Sequence, residues 1–110
     1  MPKQKKNISK KKKKILITGA CGFLGINVSK YLFQKGYIVY GIGNKNSNIQ
    51  KKDLIHYSKI IQKELKYEYL KKNFKEIDYI IHCAGRVIGL GPEEDYNKNV
   101  NSTLELIKYL

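Results

Sequence analysis

Three glycines are the residues best placed to do chemistry. Gly19, Gly22 and Gly25 follow a short apolar run, Lys14 to Thr18, and precede a stretch with helical periodicity. A strand, a glycine turn and a helix in that order can cradle a phosphate. The first glycine permits a tight turn, the second lets the backbone approach a pyrophosphate without a Cβ in the way, and the third lets the helix pack closely on the strand. Free N–H groups at the helix start, reinforced by its dipole, then hold the anion. The plain alternative is that these are turn and packing residues among the nine glycines of the chain.

No other grouping offers comparable chemistry. His56 and His82 are isolated, with no cysteine or carboxylate at ligand spacing, so no metal site is expected and each reads as a core or strand-end histidine. Tyr31 with Lys35 and Tyr67 with Lys71 stand four apart on expected helices. Nine tyrosines among this many lysines make such pairs coincidental. No catalytic role is assigned to either, and no Ser/His/Asp grouping is visible.

The elements that must position the glycine turn follow from periodicity. Lys14 to Thr18 is a continuous aliphatic run, typical of a strand buried on both faces. Leu24, Val28, Tyr31 and Leu32 recur on one helical face, and Gly36 closes that helix. Tyr37 to Ile42 is a second strand, and the polar loop from Gly43 to Ile49 follows. His56 to Ile61 is the expected third strand, and Tyr67 to Ile77 a helix with Leu70, Phe74 and Ile77 on one side. Asp78 to Cys83 is a strand running into Gly85. Beyond a loop at 86–91, Pro92 with Glu93, Glu94 and Asp95 suits the first turn of a helix, along which Val100, Leu104 and Ile107 form an apolar stripe. Such alternation predicts an α/β fold: a Rossmann-like, doubly wound parallel sheet with helices on both faces.

These motifs together resemble the short-chain dehydrogenase/reductase superfamily. More narrowly, they resemble its extended branch, the NAD(P)-dependent sugar-nucleotide epimerases and dehydratases. The run from Lys14 through Gly25 is similar to the family's opening, and Asp78 to Gly85 to its fourth strand with a His-x-Ala-Gly ending. Asn99 to Thr103 is similar to its Asn-Val-x-Gly-Thr helix, with Ser102 in place of the glycine. The resemblance spans residues 14–110 and implies roles. Gly19, Gly22, Phe23 and Leu24 would surround the pyrophosphate, Cys21 and Gly25 would belong to the same cofactor-binding turn, Cys83, Ala84 and Gly85 would floor the cofactor ribose, and Asn99 would anchor its helix behind the active site. The cofactor would be NAD or NADP, and the substrate, once downstream sequence completes the enzyme, a nucleotide sugar.

Two positions depart from the family. The acid that accepts the ribose 2′-hydroxyl at the end of the second strand is replaced by Gly43, followed by Asn44 and Lys45. Without a carboxylate a 2′-phosphate is not repelled, and Lys45 could pair with one, which favours NADP; Lys45 as a solvated loop lysine is the plain reading. The family's acid near the adenine, after the third strand, is replaced by Lys63. The family's catalytic Tyr-x-x-x-Lys pair comes after the Asn99 helix, beyond Leu110, so this chain reads as an incomplete, amino-terminal fold that is silent alone. A non-catalytic dinucleotide-binding or regulatory module is the alternative. The unpaired sheet edge and exposed apolar surface of a partial fold favour self-association.

Composition bounds the rest. The 110 residues allow one domain at most, or one piece of a larger one, and 42% hydrophobic with 28% charged residues is ordinary for a globular chain. The net charge of +13 is uneven: residues 1–14 hold eight lysines and 15–52 five, with no acid in either, whereas 53–110 is balanced. Residues 1–14 therefore read as a basic flexible tail ahead of a partial domain at 15–110. Clustered lysine could also attract nucleic acid, but no aromatic residue interleaves with it to stack on bases. No run reaches the ~18–20 apolar residues of a membrane span. No export signal is visible either, so a cytoplasmic location with two free cysteines is expected.

Overall fold

The computed structural model describes residues 12–84 and 92–110. Most of the basic tail, the 86–91 loop and Gly85 lie outside the described residues. Four strands, β1 (Lys14–Thr18), β2 (Ile38–Gly43), β3 (Lys59–Gln62) and β4 (Tyr79–His82), form one sheet. Their order is β3-β2-β1-β4, and every pair is parallel. Four helices connect or follow them: α1 (Phe23–Gln34), α2 (Lys51–Leu54), α3 (Tyr67–Asn73) and α4 (Pro92–Tyr109). This is the expected Rossmann-like α/β arrangement, of which only part is present.

The central strand explains why the two faces are both covered. Successive side chains of a strand point to opposite faces. Ile15 and Ile17 of β1 therefore join Val39, Ala20 and Tyr57 in one core, with Val28 and Leu32 of α1 packed against it. Leu16 enters a second core on the opposite face with Ile42, Leu70, Phe74 and Leu106, which brings α3 and α4 onto that side. Leu16 and Ile17 are wholly buried, and burying each such side chain contributes about 1.5–3 kcal/mol.

Several element readings are corrected. β3 begins at Lys59 rather than His56, because Tyr57 turns inward as a core residue. α1 faces the sheet with Gly25, Val28, Ser29 and Leu32, leaving Leu24 and Tyr31 exposed. Small residues at 25 and 29 allow close approach, which an apolar-stripe reading does not register. α3 ends at Asn73, not Ile77: Phe74 adopts an extended conformation (φ −127°, ψ 128°). That places its ring in the core, 5.9 Å from the ring of Tyr40. On α4 the buried side is marked by Leu106, and Tyr109 donates its hydroxyl to the Phe74 carbonyl at 2.9 Å. The stripe of Val100, Leu104 and Ile107 points outward, 37%, 50% and 56% exposed. Among the described residues no strand pairs with the outer edge of β4. No helix among them is long and apolar enough to cross a membrane.

Candidate functional site

The chain leaves β1 toward β2 and β3, then returns to the other side of β1 as β4. Ligands of open α/β sheets bind outside the carboxyl ends of strands at such a reversal. Here the reversal lies between β1 and β4, and the glycine turn follows β1 directly. Gly19 takes a left-handed conformation (φ +68°), and a Cβ on it would lie 2.7 Å from both the Ala84 N and the Cys83 carbonyl carbon. The first glycine is thus where the ends of β1 and β4 touch, and only glycine fits there.

The rest of the turn is held from three sides. Gly22 N donates to Gly19 O (3.1 Å) and Ala20 N to Ile42 O at the end of β2 (3.1 Å). Gly25 packs against the turn, since a Cβ there would lie 3.0 Å from the Ala20 Cα. From beneath, the Tyr57 hydroxyl donates to Ala20 O (2.8 Å) and Gly25 O (3.2 Å), spanning both ends of the turn. Burial pushes the Tyr57 phenol up to about 12, so it remains a donor at any physiological pH. Tyr57 escaped the sequence reading because nothing local marks a tyrosine whose partners lie 37 and 32 residues upstream.

By contrast, the upper side of the turn is open. Gly22 is the exposed N-cap of α1, with ordinary backbone angles (φ −85°, ψ 169°) and no side-chain cap. A Cβ there would meet only Gly19 O, at 3.5 Å. The first-turn N–H groups of a helix have no intrahelical acceptor, and no acid stands in the first turn of α1 to use them. Phe23 and Leu24 flank this end, 86% and 59% exposed.

The end of β2 closes one flank. A Cβ on Gly43 would fall on the Cys21 Sγ and lie 2.8 Å from the Cys21 N. The packing of the glycine turn on β2 thus leaves no room for the acid that sequence spacing places at this position. Beyond it, Asn44 and Lys45 are exposed. Asn44 makes a local turn, its Oδ1 accepting from Asn46 N at 2.8 Å and its carbonyl from Ser47 N at 3.2 Å. The amide of Gln62, the last residue of β3, donates to Asn44 O (3.2 Å) and Ser47 O (2.8 Å). Lys63, at the position of the family's adenine-side acid, lies over the Tyr69 ring at 5.1 Å.

The other flank is a hydrogen-bonded chain. Thr103 Oγ1 donates to the Asn99 carbonyl (2.9 Å), so its bond to His82 Nε2 (3.1 Å) takes the imidazole as donor. In a neutral ring Nδ1 is then the acceptor, which fits its contact with Thr18 Oγ1, whose lone pair accepts from Ala84 N at 3.2 Å. This order assigns the Nε2–H tautomer and ties the strand end at Ala84 to Asn99 on α4. Burial lowers the His82 pKa from its ordinary 6.5. The unfolded chain therefore binds the proton first on acidification. The stability is present above about pH 6.5 and is lost as pH falls through the lowered folded value. Thermal melts at pH 7.5 and 5.5 should show a loss on acidification that shrinks in His82→Gln. Equal losses in both chains would remove His82 as the source.

Other candidates stay apart. Lys35 lies over the Tyr31 ring (5.4 Å) and Lys71 over that of Tyr67 (5.8 Å), pairs on helix surfaces. His56 sits edge-on to Phe33, its Nδ1 buried without a partner. Among the described residues no cluster could hold a metal. Burial raises the pKa of both free thiols, Cys21 and Cys83. A surface hollow of about 470 Å³ near Tyr67, Tyr79 and Tyr109 lies at the amino end of β4, away from the glycine turn.

Residues 15–110 match the sequence profile of the NAD dependent epimerase/dehydratase family. The chain belongs to that family. Its fold is shared by solved structures of the same kind. An epimerase from Methanothermobacter thermautotrophicus is 27% identical with a TM-score of 0.73, over 89% of this chain and 31% of the other. A UDP-glucose 4-epimerase from Bifidobacterium longum, in complex with NAD+ and UDP, is 26% identical with a TM-score of 0.68, over 87% and 32%. One from Thermotoga maritima, with UDP-glucose, is 23% identical with a TM-score of 0.73, over 87% and 33%. The chain thus spans about a third of the length of these epimerases. Among curated proteins compared by sequence, none matches.

Proposed function

We propose that this chain is the amino-terminal, dinucleotide-binding part of an NAD(P)-dependent oxidoreductase of the epimerase/dehydratase type, acting on nucleotide sugars. The observation that carries the reading is the open, uncapped start of α1 above a turn whose underside is fixed by Ala84, Ile42 and Tyr57. Gly19, Gly22, Phe23 and Leu24 would surround the pyrophosphate, with the N–H groups at the helix start as donors, and Cys21 and Gly25 would complete the cofactor-binding turn. Cys83, Ala84 and Gly85 would floor the ribose on the β4 side, with Asn99 behind them. Asn44 and Lys45 would meet the adenosine ribose. When bound, the nicotinamide would supply transient hydride acceptance from a sugar carbon; the residues of this chain bind and orient it. The nucleotide-sugar substrate is supported by the epimerases with UDP-glucose and with NAD+ and UDP. Titration of the purified chain with NADH and NADPH is the test, and binding of neither would overturn the reading.

Cofactor choice follows from the crowding at Gly43. With no acid at the ribose and Lys45 two residues on, NADPH is expected to bind at least as well as NADH. Calorimetric titration with both checks this, and a clear preference for NADH would show that another group reads the 2′-hydroxyl.

A further inference from the structure

We propose that Gln62 is a positioning residue: by tethering the Asn44–Ser47 loop it holds Lys45 where it distinguishes a phosphorylated from a free ribose. The inference rests on the dinucleotide reading above and adds to it a residue on a different strand.

Gln62 ends β3 and pairs in register with Gly43, the last residue of β2. Its side chain is largely in solvent, yet both of its donor contacts run back to the loop that follows β2, at Asn44 O and Ser47 O. Both partners are carbonyl oxygens, so only the amide nitrogen can face them and the amide orientation is fixed. Among the described residues, the other hydrogen bonds of residues 44–47 are those of the local Asn44 turn. Residues 44–47 carry no apolar side chain to bury, so without the tether the segment would be free to sample many conformations.

Gly43 cannot carry a ribose-reading side chain, because Cys21 fills the space beside it. The nearest cation to Gly43 along the chain is Lys45, the single one between Lys35 and Lys51. A lysine on a fixed loop presents its charge at one place, whereas on a loose loop the same charge is spread over solvent. The tether therefore bears on the phosphorylated cofactor more than on the other.

The test compares Gln62→Met, which keeps chain length but cannot donate, with the parent chain and with Lys45→Met and the double variant. NADPH and NADH are titrated calorimetrically into each. Gln62→Met should weaken NADPH about five- to tenfold and NADH less than twofold, as loss of two solvent-exposed hydrogen bonds at a selective site would. In the Lys45→Met background the same change should leave the NADPH-to-NADH ratio unaltered. Equal weakening of both cofactors, or an unchanged ratio in the single variant, would overturn the proposal. A second measurement needs no cofactor: amide exchange at Asn46 and Ser47 should quicken in Gln62→Met, and unchanged exchange also overturns it. If the parent chain binds neither dinucleotide, the cofactor reading falls and the selectivity role with it, an outcome distinct from a lost ratio.

Discussion

Gly22→Val is expected to abolish dinucleotide binding while the chain stays folded. Few substitutions at a glycine turn should separate the two so cleanly. The backbone at Gly22 has φ −85° and ψ 169°, which a β-branched residue adopts without strain. A Cβ there meets only Gly19 O at an ordinary 3.5 Å, and the position is exposed. The fold therefore loses only the N-cap preference of glycine over valine, about 1 kcal/mol. What the two methyl groups fill is the space over the N–H groups of the first turn of α1, where the pyrophosphate would sit. Removing that site should weaken NADH and NADPH together by at least about a hundredfold, near 2.7 kcal/mol. The measurement is a fluorescence titration beside a thermal melt. Unchanged titration by a folded variant would take the glycine turn out of the account.

How far the sequence could be read depends on where each residue finds its partners. β1 was legible because Lys14 to Thr18 is apolar throughout, and the sheet buries Ile15 and Ile17 on one face and Leu16 on the other. The glycine turn was legible because the roles of Gly19 and Gly25 follow from a Cβ that has nowhere to go. On α4 the apolar stripe was a poor guide. The side turned toward the sheet is marked by Leu106 and by polar residues, since Thr103 reaches His82 through a hydrogen bond. Val100, Leu104 and Ile107 are left for surfaces that the described strands do not provide. Tyr57 and Gln62 were not legible at all. Each acts through a polar atom on the backbone of a segment distant in sequence, and neither periodicity nor propensity carries that information. The missing acid at Gly43 was visible as a departure, but its cause, the Cys21 side chain, emerges only from packing.

The complementary substitution, Gly25→Val, should do the reverse and cost the fold itself. Gly25 is buried on the sheet side of α1. A Cβ there would overlap the Gly19 carbonyl oxygen and lie 2.9 Å from the Gly19 carbonyl carbon and 3.0 Å from the Ala20 Cα. All three are backbone atoms, and none can swing aside as a flexible side chain would. Gly19 cannot retreat, since its own Cα faces Ala84 N and the Cys83 carbonyl, and Tyr57 ties Ala20 O to Gly25 O across the gap. Helix α1 would have to lift from β1, opening the core around Ile17, Val28 and Leu32. Overpacking typically costs 1–3 kcal/mol and more where backbone must move, so roughly 3 kcal/mol or more is expected. For a domain near this size that lowers Tm by roughly 12–24 °C, against a total stability of only about 5–15 kcal/mol. Thermal melts of Gly25→Ala and Gly25→Val should show graded loss, because the Cβ alone makes the clash and the two further methyl groups widen it. A Gly25→Val chain that melts with the parent would mean that α1 does not rest on the turn through this residue. The third glycine would then have no structural reason to be one.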